Sequence, residues 1–429
     1  MHIFSLTNFG NFIYKSMGLC YNTDMINYEE VYGREASAML ARKNTLEALF
    51  VSRYKTAPTV YVSSCGRAEI VGNHTDHNLG KVIVGAISCD ILAAVSLRTD
   101  GIVEIGAEDF RTIRFHVSDL KRRESEARKS SALARGVCRY LADRKYPLGG
   151  FSAVTHSTVF RGAGVSSSAA FEVLIAEIVN VLYAGGKIPP LVKAEAGKFA
   201  ENVYFGKPCG LLDQTGIAFG GLNAVDFYGA GAPRVKSLSM PEGYALALVN
   251  TGGSHSSLTK HYAAISKEMS EVAAYFHKKY LREVEKTAFE ESIPALRKKV
   301  SDRAILRASH FFAENERVDR AADALARGDR RAFFKQVRSS GASSLTYLQN
   351  GYVAGDVSQP LLIGVITAAR LIKEGAFRIM GGGFTGTVLA ILPERETAEY
   401  AAETGRIFGR ENVHVARLRP FGACEISFD

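Results

Sequence analysis

The chain has 429 residues, of which 47% are hydrophobic and 23% charged. That is enough to bury a large core and more than the roughly 100–200 residues of one domain, so two domains are expected. Its 53 Lys and Arg against 44 Asp and Glu leave a net charge of +9, which suits an anionic substrate; with no long basic run and no basic segment interleaved with aromatics, nucleic acid is not an expected partner. The six cysteines lack CxxC spacing and the density of a disulfide scaffold, and are expected to be reduced. The most apolar stretch, Val82 to Leu97, is broken by Asp90 and is shorter than the ~18–20 residues of a membrane span. The opening MHIFSLTNFGNF has neither the basic start nor the apolar core of a signal peptide. A cytoplasmic protein without a membrane partner is expected. Residues 1–24 are weakly periodic and stand outside the expected folded unit, with Met17 and Met25 as alternative starts.

In chain order, Val31, Ala36, Leu40, Leu46 and Leu49 recur at helical spacing, and β-branched alternation begins at Thr59-Val60-Tyr61-Val62. Strands are predicted at 82–96, 103–107, 150–155, 223–227, 244–250, 376–380 and 387–392. Helices are predicted at 130–143, 167–183, 190–204, 257–279, 303–326 and 358–373. The pattern is that of a mixed α/β (α+β) chain. Tyr228-Gly-Ala-Gly-Ala-Pro233 reads as a hinge, dividing the chain into domains at 25–230 and 231–429.

Arg161-Gly-Ala-Gly-Val-Ser-Ser-Ser-Ala-Ala170 runs straight into an amphipathic helix bearing Phe171, Leu174, Ile175, Ile178 and Leu182. A glycine and serine loop at a helix N-terminus offers free N–H groups and a favourable dipole to a phosphate, with no Cβ in the way. Gly162, Gly164, Ser166, Ser167 and Ser168 are therefore candidate ATP-binding residues, although an ordinary serine cap accounts for the segment equally well by itself. It is not a GxxxxGK[ST] loop, because no lysine follows the glycines.

A second block, Glu201 to Gln214, holds Glu201 and Asp213 on either side of a Gly/Pro turn that can fold both toward one cleft. Phosphoryl transfer needs oxygen ligands for Mg²⁺ and a group that orients the attacking hydroxyl. Glu201 and Asp213 suit those two roles, though an isolated acid is as a rule a solvated or capping residue.

Cys65-Gly-Arg67-Ala-Glu-Ile-Val-Gly72-Asn73-His74-Thr-Asp76-His77-Asn78-Leu-Gly80 resembles the galactokinase signature, Gly-Arg-x-Asn-x-x-Gly-Glu-His-Thr-Asp-Tyr-Asn. GAGVSSSAA at 162–170, PCGLLDQ at 208–214 and Met380-Gly-Gly-Gly-Phe-Thr-Gly386 resemble three further motifs of the galactokinase branch of the GHMP kinases, in the same order. The resemblance implies a two-lobed GHMP kinase fold with the active site between the lobes, and ATP-dependent phosphorylation of galactose at its anomeric hydroxyl. It further implies Asp213 as catalytic carboxylate with Arg67 beside it, and Ser167 and Glu201 as Mg²⁺ ligands. His74, Asp76, Gly210 and Tyr262 match positions that contact the hexose, Tyr262 through the spacing from His255. Gly381 to Gly383 and Phe384 would close over the phosphates or support the wall of the site, and a tight turn between strands explains those glycines as well.

Asn73 stands where the family has a glutamate that accepts a bond from the sugar, and His77 replaces a tyrosine. An amide both donates and accepts, so residue 73 is expected to read a sugar hydroxyl in an altered way, and Asn73→Glu to improve turnover of galactose. Phe160 replaces a proline. The alternatives are a kinase for another sugar or amino sugar of the family, and a silent sensor that binds galactose and ATP. A zinc site at His74, Asp76 and His77 is disfavoured because no fourth ligand is evident. The sequence sets no oligomeric state.

Overall fold

The computed structural model describes residues 25–107, 110–160, 164–229, 232–252 and 258–428. The chain enters through a short strand β1 (Ile26–Asn27) and helix α1 (Ala36–Tyr54), then forms β2 (Val60–Val71), β3 (Lys81–Arg98), β4 (Ile102–Ala107) and β5 (Phe110–His116). Helix α2 (Ser130–Asp143) leads to β6 (Gly150–Ser157). Helices α3 (Ser167–Tyr183), α4 (Pro190–Phe199) and α5 (Leu212–Phe219) follow, and then the hairpin β7 (Leu222–Asp226) and β8 (Arg234–Leu238). Between α4 and α5 the chain continues as a π-helical turn over Ala200–Phe205.

The next part begins with β9 (Tyr244–Asn250) and a helical layer of α6 (Thr259–Tyr275), α7 (Asp302–Ala326), α8 (Arg330–Ser343) and α9 (Pro360–Leu371). It closes with β10 (Ala376–Met380), β11 (Thr387–Pro393), α10 (Thr397–Phe408), β12 (Val413–Ala416) and β13 (Cys424–Ser427).

The strands make two sheets. In the larger, nine-stranded sheet the order is β1-β13-β2-β3-β6-β4-β5, with β7 and β8 branching from β3. The branch is possible because β3 is 18 residues long: Lys81–Gly85 pairs with β7, and Ile91–Arg98 pairs with β6. The smaller sheet is β10-β11-β9-β12, antiparallel throughout. Helix α3 is buried through its length, with Val173, Leu174, Ile175, Ile178 and Val179 fully covered. Burial of this kind is worth about 1.5–3 kcal/mol per large aliphatic side chain, and it fixes the loop in front of α3 against the first sheet.

All seven predicted strands and the long predicted helices form. The periodicity missed β1, β5, β8, β12 and β13, none longer than seven residues, as well as α5, α8 and α10. The expected cut at 230 falls between β7 and β8, which pair with each other in the first sheet. In addition β13, from the far end of the chain, pairs with both β1 and β2. The first lobe is therefore not one continuous stretch, and the proposed hinge lies partly outside the described residues.

Candidate active site

Arg67, on β2, and Asp213, in the first turn of α5, come from segments far apart in the chain and meet in a cleft. Arg67 Nε and Nη2 donate to Asp213 Oδ1 at 2.9 and 2.7 Å. Arg67 Nη1 donates to the Gly164 carbonyl, and Ser166 Oγ donates to Asp213 Oδ2. The arginine side chain is 6% exposed while the aspartate remains 34% exposed, so the cation is buried behind the acid and the acid faces the cleft. Burial alone would raise the Asp213 pKa, but Arg67, the Ser166 hydroxyl and Lys207 outweigh it and hold the carboxyl below its ordinary range.

Ser166 caps α3 from the left-handed region, at φ 62°. A non-glycine residue is uncommon there and costs about 1–3 kcal/mol. The hydroxyl turned onto Asp213 is what this conformation provides. Ser166, expected to bind phosphate, thus holds the acid instead. Gly162 lies outside the described residues, and Gly164, exposed and also left-handed at φ 63°, supplies the carbonyl that Arg67 grips.

Glu201 sits in the π-helical turn, a geometry often found where a helix must re-aim a functional side chain. Its Oε1 accepts from Ser168 Oγ at 3.2 Å and Lys207 Nζ at 2.8 Å. Its Oε2 is joined through the Gln214 amide, at 3.2 Å, to Glu172, at 2.9 Å. Burial, followed by the neighbouring charge of Glu201, pushes Glu172 well above the carboxylate range. The resemblance implies Ser167 and Glu201 as Mg²⁺ ligands. It is Ser168, one residue on, that faces Glu201, because successive helical side chains point about 100° apart.

A hard oxygen donor pair at the start of α3, already attracting a lysine cation, fits Mg²⁺, which takes few protein ligands and keeps phosphate and water oxygens. Among the described residues no group of three or more His, Cys, Asp or Glu is placed to hold a metal. Ser167 and Ser168 line a cavity of about 920 Å³, together with Phe171, Phe205, Arg128 and Lys129. This space joins apolar walls to cations beside a helix N-terminus.

The sugar signature lies on the other side of Asp213. Asp76 accepts from the Leu212 N–H at 3.4 Å and from the His77 N–H at 2.9 Å. Gly210 has no room for a side chain, since a methyl there would lie 1.6 Å from Asp76 Oδ2. His74, at φ 57°, is 3.1 Å from the Gly382 carbonyl through Nε2. A carbonyl only accepts, so Nε2 carries the proton. Burial, then the neighbouring His77, lowers the His74 pKa to about 3 and keeps the ring neutral. Tyr262 donates to the Gly383 carbonyl at 3.1 Å and packs edge-on against Phe384. Its ring crowds Gly382, where an added Cβ would lie 2.3 Å away. The glycine turn 381–383 therefore supports the wall of the site. His255 lies outside the described residues.

Asn73 departs from expectation. It is completely buried, and its amide is saturated. Nδ2 donates to Glu69 Oε1 and the Gly381 carbonyl, both at 2.8 Å; Oδ1 accepts from Asn350 at 2.9 Å and Ser344 at 3.1 Å. With two donors and two acceptor positions used, nothing is left for a sugar hydroxyl, and the substrate-binding reading of Asn73 is withdrawn.

Sequence reasoning also passed over Lys207, Gln214, Glu172 and Glu69. Lys207 and Gln214 lie inside the Glu201–Gln214 block, where a cation between two acids and an amide directly after the second were a legible signal. Glu172 carried no signal beyond its place on α3.

Residues 48–97 match the family model described as the galactokinase galactose-binding signature, and residues 132–221 match the GHMP kinases N terminal domain. The chain thus carries a GHMP kinase N-terminal domain preceded by the galactokinase galactose-binding signature. The fold of the chain is similar to that of Lactococcus lactis galactokinase complexed with galactose, at 22% identity and TM-score 0.78 over 89% of this chain and 99% of that one. Methanococcus jannaschii mevalonate kinase aligns with TM-score 0.60 at 12% identity, covering 83% of this chain and 98% of that one. Streptococcus pneumoniae phosphomevalonate kinase in complex with phosphomevalonate and AMPPNP aligns with TM-score 0.58 at 13% identity, with the same coverage. No helix among the described residues is long and apolar enough to cross a membrane.

Proposed function

We propose that the protein transfers the terminal phosphoryl group of ATP to the anomeric hydroxyl of galactose, giving galactose 1-phosphate and ADP. The observation that carries this reading is Asp213, held ionised by Arg67 and Ser166 between the sugar signature and the loop before α3. Galactose is placed against His74, Asp76, Gly210 and Tyr262, with its anomeric hydroxyl toward Asp213. ATP is placed in the cavity beside Ser167 and Ser168, its phosphates at the N-terminus of α3, where dipole and free N–H groups favour anions.

An aspartate paired with an arginine is a weak base. The transfer is largely dissociative, so little charge develops on the attacking oxygen early, and orientation with late proton acceptance suffices. Arg67 fixes the carboxylate that receives the hydroxyl hydrogen bond and stabilises incipient alkoxide charge. Glu201 and Ser168, with Ser167 adjacent, would hold Mg²⁺. Bound there, Mg²⁺ would supply positive charge against the negative charge that accumulates on the phosphates during transfer. Lys207 lies on the same side and adds positive charge near Glu201.

The test is ADP release with MgATP against galactose, glucose, N-acetylgalactosamine, arabinose and mevalonate. Turnover on galactose is expected, and in Asp213→Ala it should fall by about 10²–10⁴-fold, the usual contribution of a positioned acid or base, with nucleotide affinity retained. Undiminished turnover in that variant removes the mechanism. Turnover confined to another compound on the panel removes the substrate assignment.

A further inference from the structure

The signature of this chain differs from the family pattern at two positions by an exchange of the same two residue types. The pattern carries asparagine two residues after the arginine and glutamate four residues later, whereas here the first is Glu69 and the second Asn73. The two side chains touch, Asn73 Nδ2 donating to Glu69 Oε1 at 2.8 Å.

Both are buried, and each is tied to the second lobe. Glu69 accepts from Arg378 Nη2, on β10, at 2.9 Å. Arg378 in turn donates to Ser340 Oγ at 2.9 Å and to the Ile70 carbonyl at 3.2 Å. Asn73 bonds the Gly381 carbonyl and the side chains of Ser344 and Asn350. The main chain of Asn73 is gripped as well: its carbonyl accepts from His310 Nε2 at 2.9 Å, and its N–H approaches Glu314 Oε1 at 3.4 Å, beside the firmer Gly72 bond to the same oxygen at 2.9 Å.

We propose that Glu69 and Asn73 are a transposed pair that acts as one positioning unit, setting the sugar-contacting loop of residues 72–80 against the glycine turn 381–383. The unit works through its neighbours. Asn73 fixes the Gly381 carbonyl and Asn350 lies against the Gly382 carbonyl at 3.2 Å, the same carbonyl that orients His74. The backbone then delivers Asp76 to the Gly210 gap. One amide and one carboxylate are needed across this contact, and their order along the chain is secondary. A lone Asn73→Glu exchange would bring two carboxylates together in a buried space and remove the donor to Gly381. A lone Glu69→Asn exchange would take from Arg378 its hydrogen-bonded carboxylate and leave it only Glu314, at 3.9 Å. Buried charges without partners are strongly destabilising, whereas the double exchange restores one acid and one amide.

The proposal rests on the galactose kinase reading, and the experiment separates the two. Wild type, Glu69→Asn, Asn73→Glu, the double exchange and Glu69→Gln are compared in steady-state kinetics for galactose and ATP and in thermal unfolding. Each single exchange should raise KM for galactose by about tenfold, within the range of coupling between contacting residues, with KM for ATP nearly unchanged. The double exchange should recover most of the loss, and Glu69→Gln, which keeps an oxygen for Asn73 but not the charge facing Arg378, should fall between wild type and Glu69→Asn.

A wild-type KM in Asn73→Glu, equal losses for galactose and ATP, or a double exchange no better than Asn73→Glu would overturn the pair. Recovery of soluble protein in the double exchange where Asn73→Glu is insoluble supports it, and insolubility of both overturns it. If wild type does not phosphorylate galactose, the functional reading fails on its own, and the melting temperatures of the same variants still decide the pair.

Discussion

Arg67 and Glu69 are two residues apart on β2, yet they belong to opposite kinds of environment. Around Arg67 the polar groups are few and leave capacity for a ligand, since Asp213 is partly exposed and presents its carboxylate to the cleft. Around Glu69 they are many and closed. Asn73, Arg378, Glu314, His310, Ser340, Ser344 and Asn350 are buried and joined to one another by hydrogen bonds. The first region is built to exchange partners and the second to keep them. A signature motif is thus not a roster of ligand contacts, because neighbouring positions in it divide between chemistry and the clamp that holds the chemistry in place.

The largest effect is expected where the open region loses its cation. Arg67→Met should lower kcat by about 10²–10³-fold, the scale of losing one preorganised electrostatic partner. It should also move the acid limb of kcat/KM upward, since burial would then be opposed only by Ser166 and Lys207; a pH–rate profile reads both, and an unmoved limb would separate Asp213 from the chemistry. Next in size, Gly210→Ala forces Asp76 aside and should raise KM for galactose by up to about 10²-fold, comparable to a 1 Å misplacement, with little change in KM for ATP. Smaller still, Ser168→Ala should raise the Mg²⁺ concentration for half-maximal activity by about tenfold, and Ser167→Ala by less. The reverse order would return the metal assignment to Ser167.

The smallest effect sharpens the closed region, whose two acids are pushed in opposite directions. Burial raises Glu69 to about 7 despite Arg378, Arg67 and the Asn73 bond. For Glu314, burial is outweighed by His310, Arg378, Arg317 and Ser340, and its pKa falls to about 2. With an unfolded value near 4.3, Glu69 contributes stability at low pH that is lost as pH rises through about 7. Glu314 contributes stability above about 4.3 that is lost as pH falls through about 2. Denaturation at pH 5 and pH 8 should therefore show a decline toward pH 8 in wild type that is reduced in Glu69→Gln.

The open region was legible in the sequence because its chemistry dictates residue types. A glycine and serine loop before a helix and acids flanking a Gly/Pro turn pointed to Asp213, Glu201 and the serines, and the galactokinase resemblance added Arg67 and Asp76. The division of labour within the serine run was not legible, since it depends on the left-handed conformation of Ser166 and on which helical direction faces Glu201. Nor was the closed region. The partners of Asn73 come from residues 69, 344, 350 and 381, contacts that only the packing of β2 against α8 and the glycine turn creates. The long strands announced themselves by alternation, whereas the short β12 and β13 are held mainly by their neighbours and carry little pattern of their own.

The placement of β13 between β1 and β2 has a consequence for the order in which the protein can be made. Domains generally fold as units while the chain emerges at about 5–20 residues per second, so β8 precedes β13 by roughly ten to forty seconds. Throughout that interval the outer edge of β2 is without the strand that covers it, and β1 has nothing to pair with. An unpaired edge is a template for association with other chains. The nascent first lobe therefore stays vulnerable until β13 has been made, and loss of Cys424–Ser427 would leave the folded protein in that same unprotected condition.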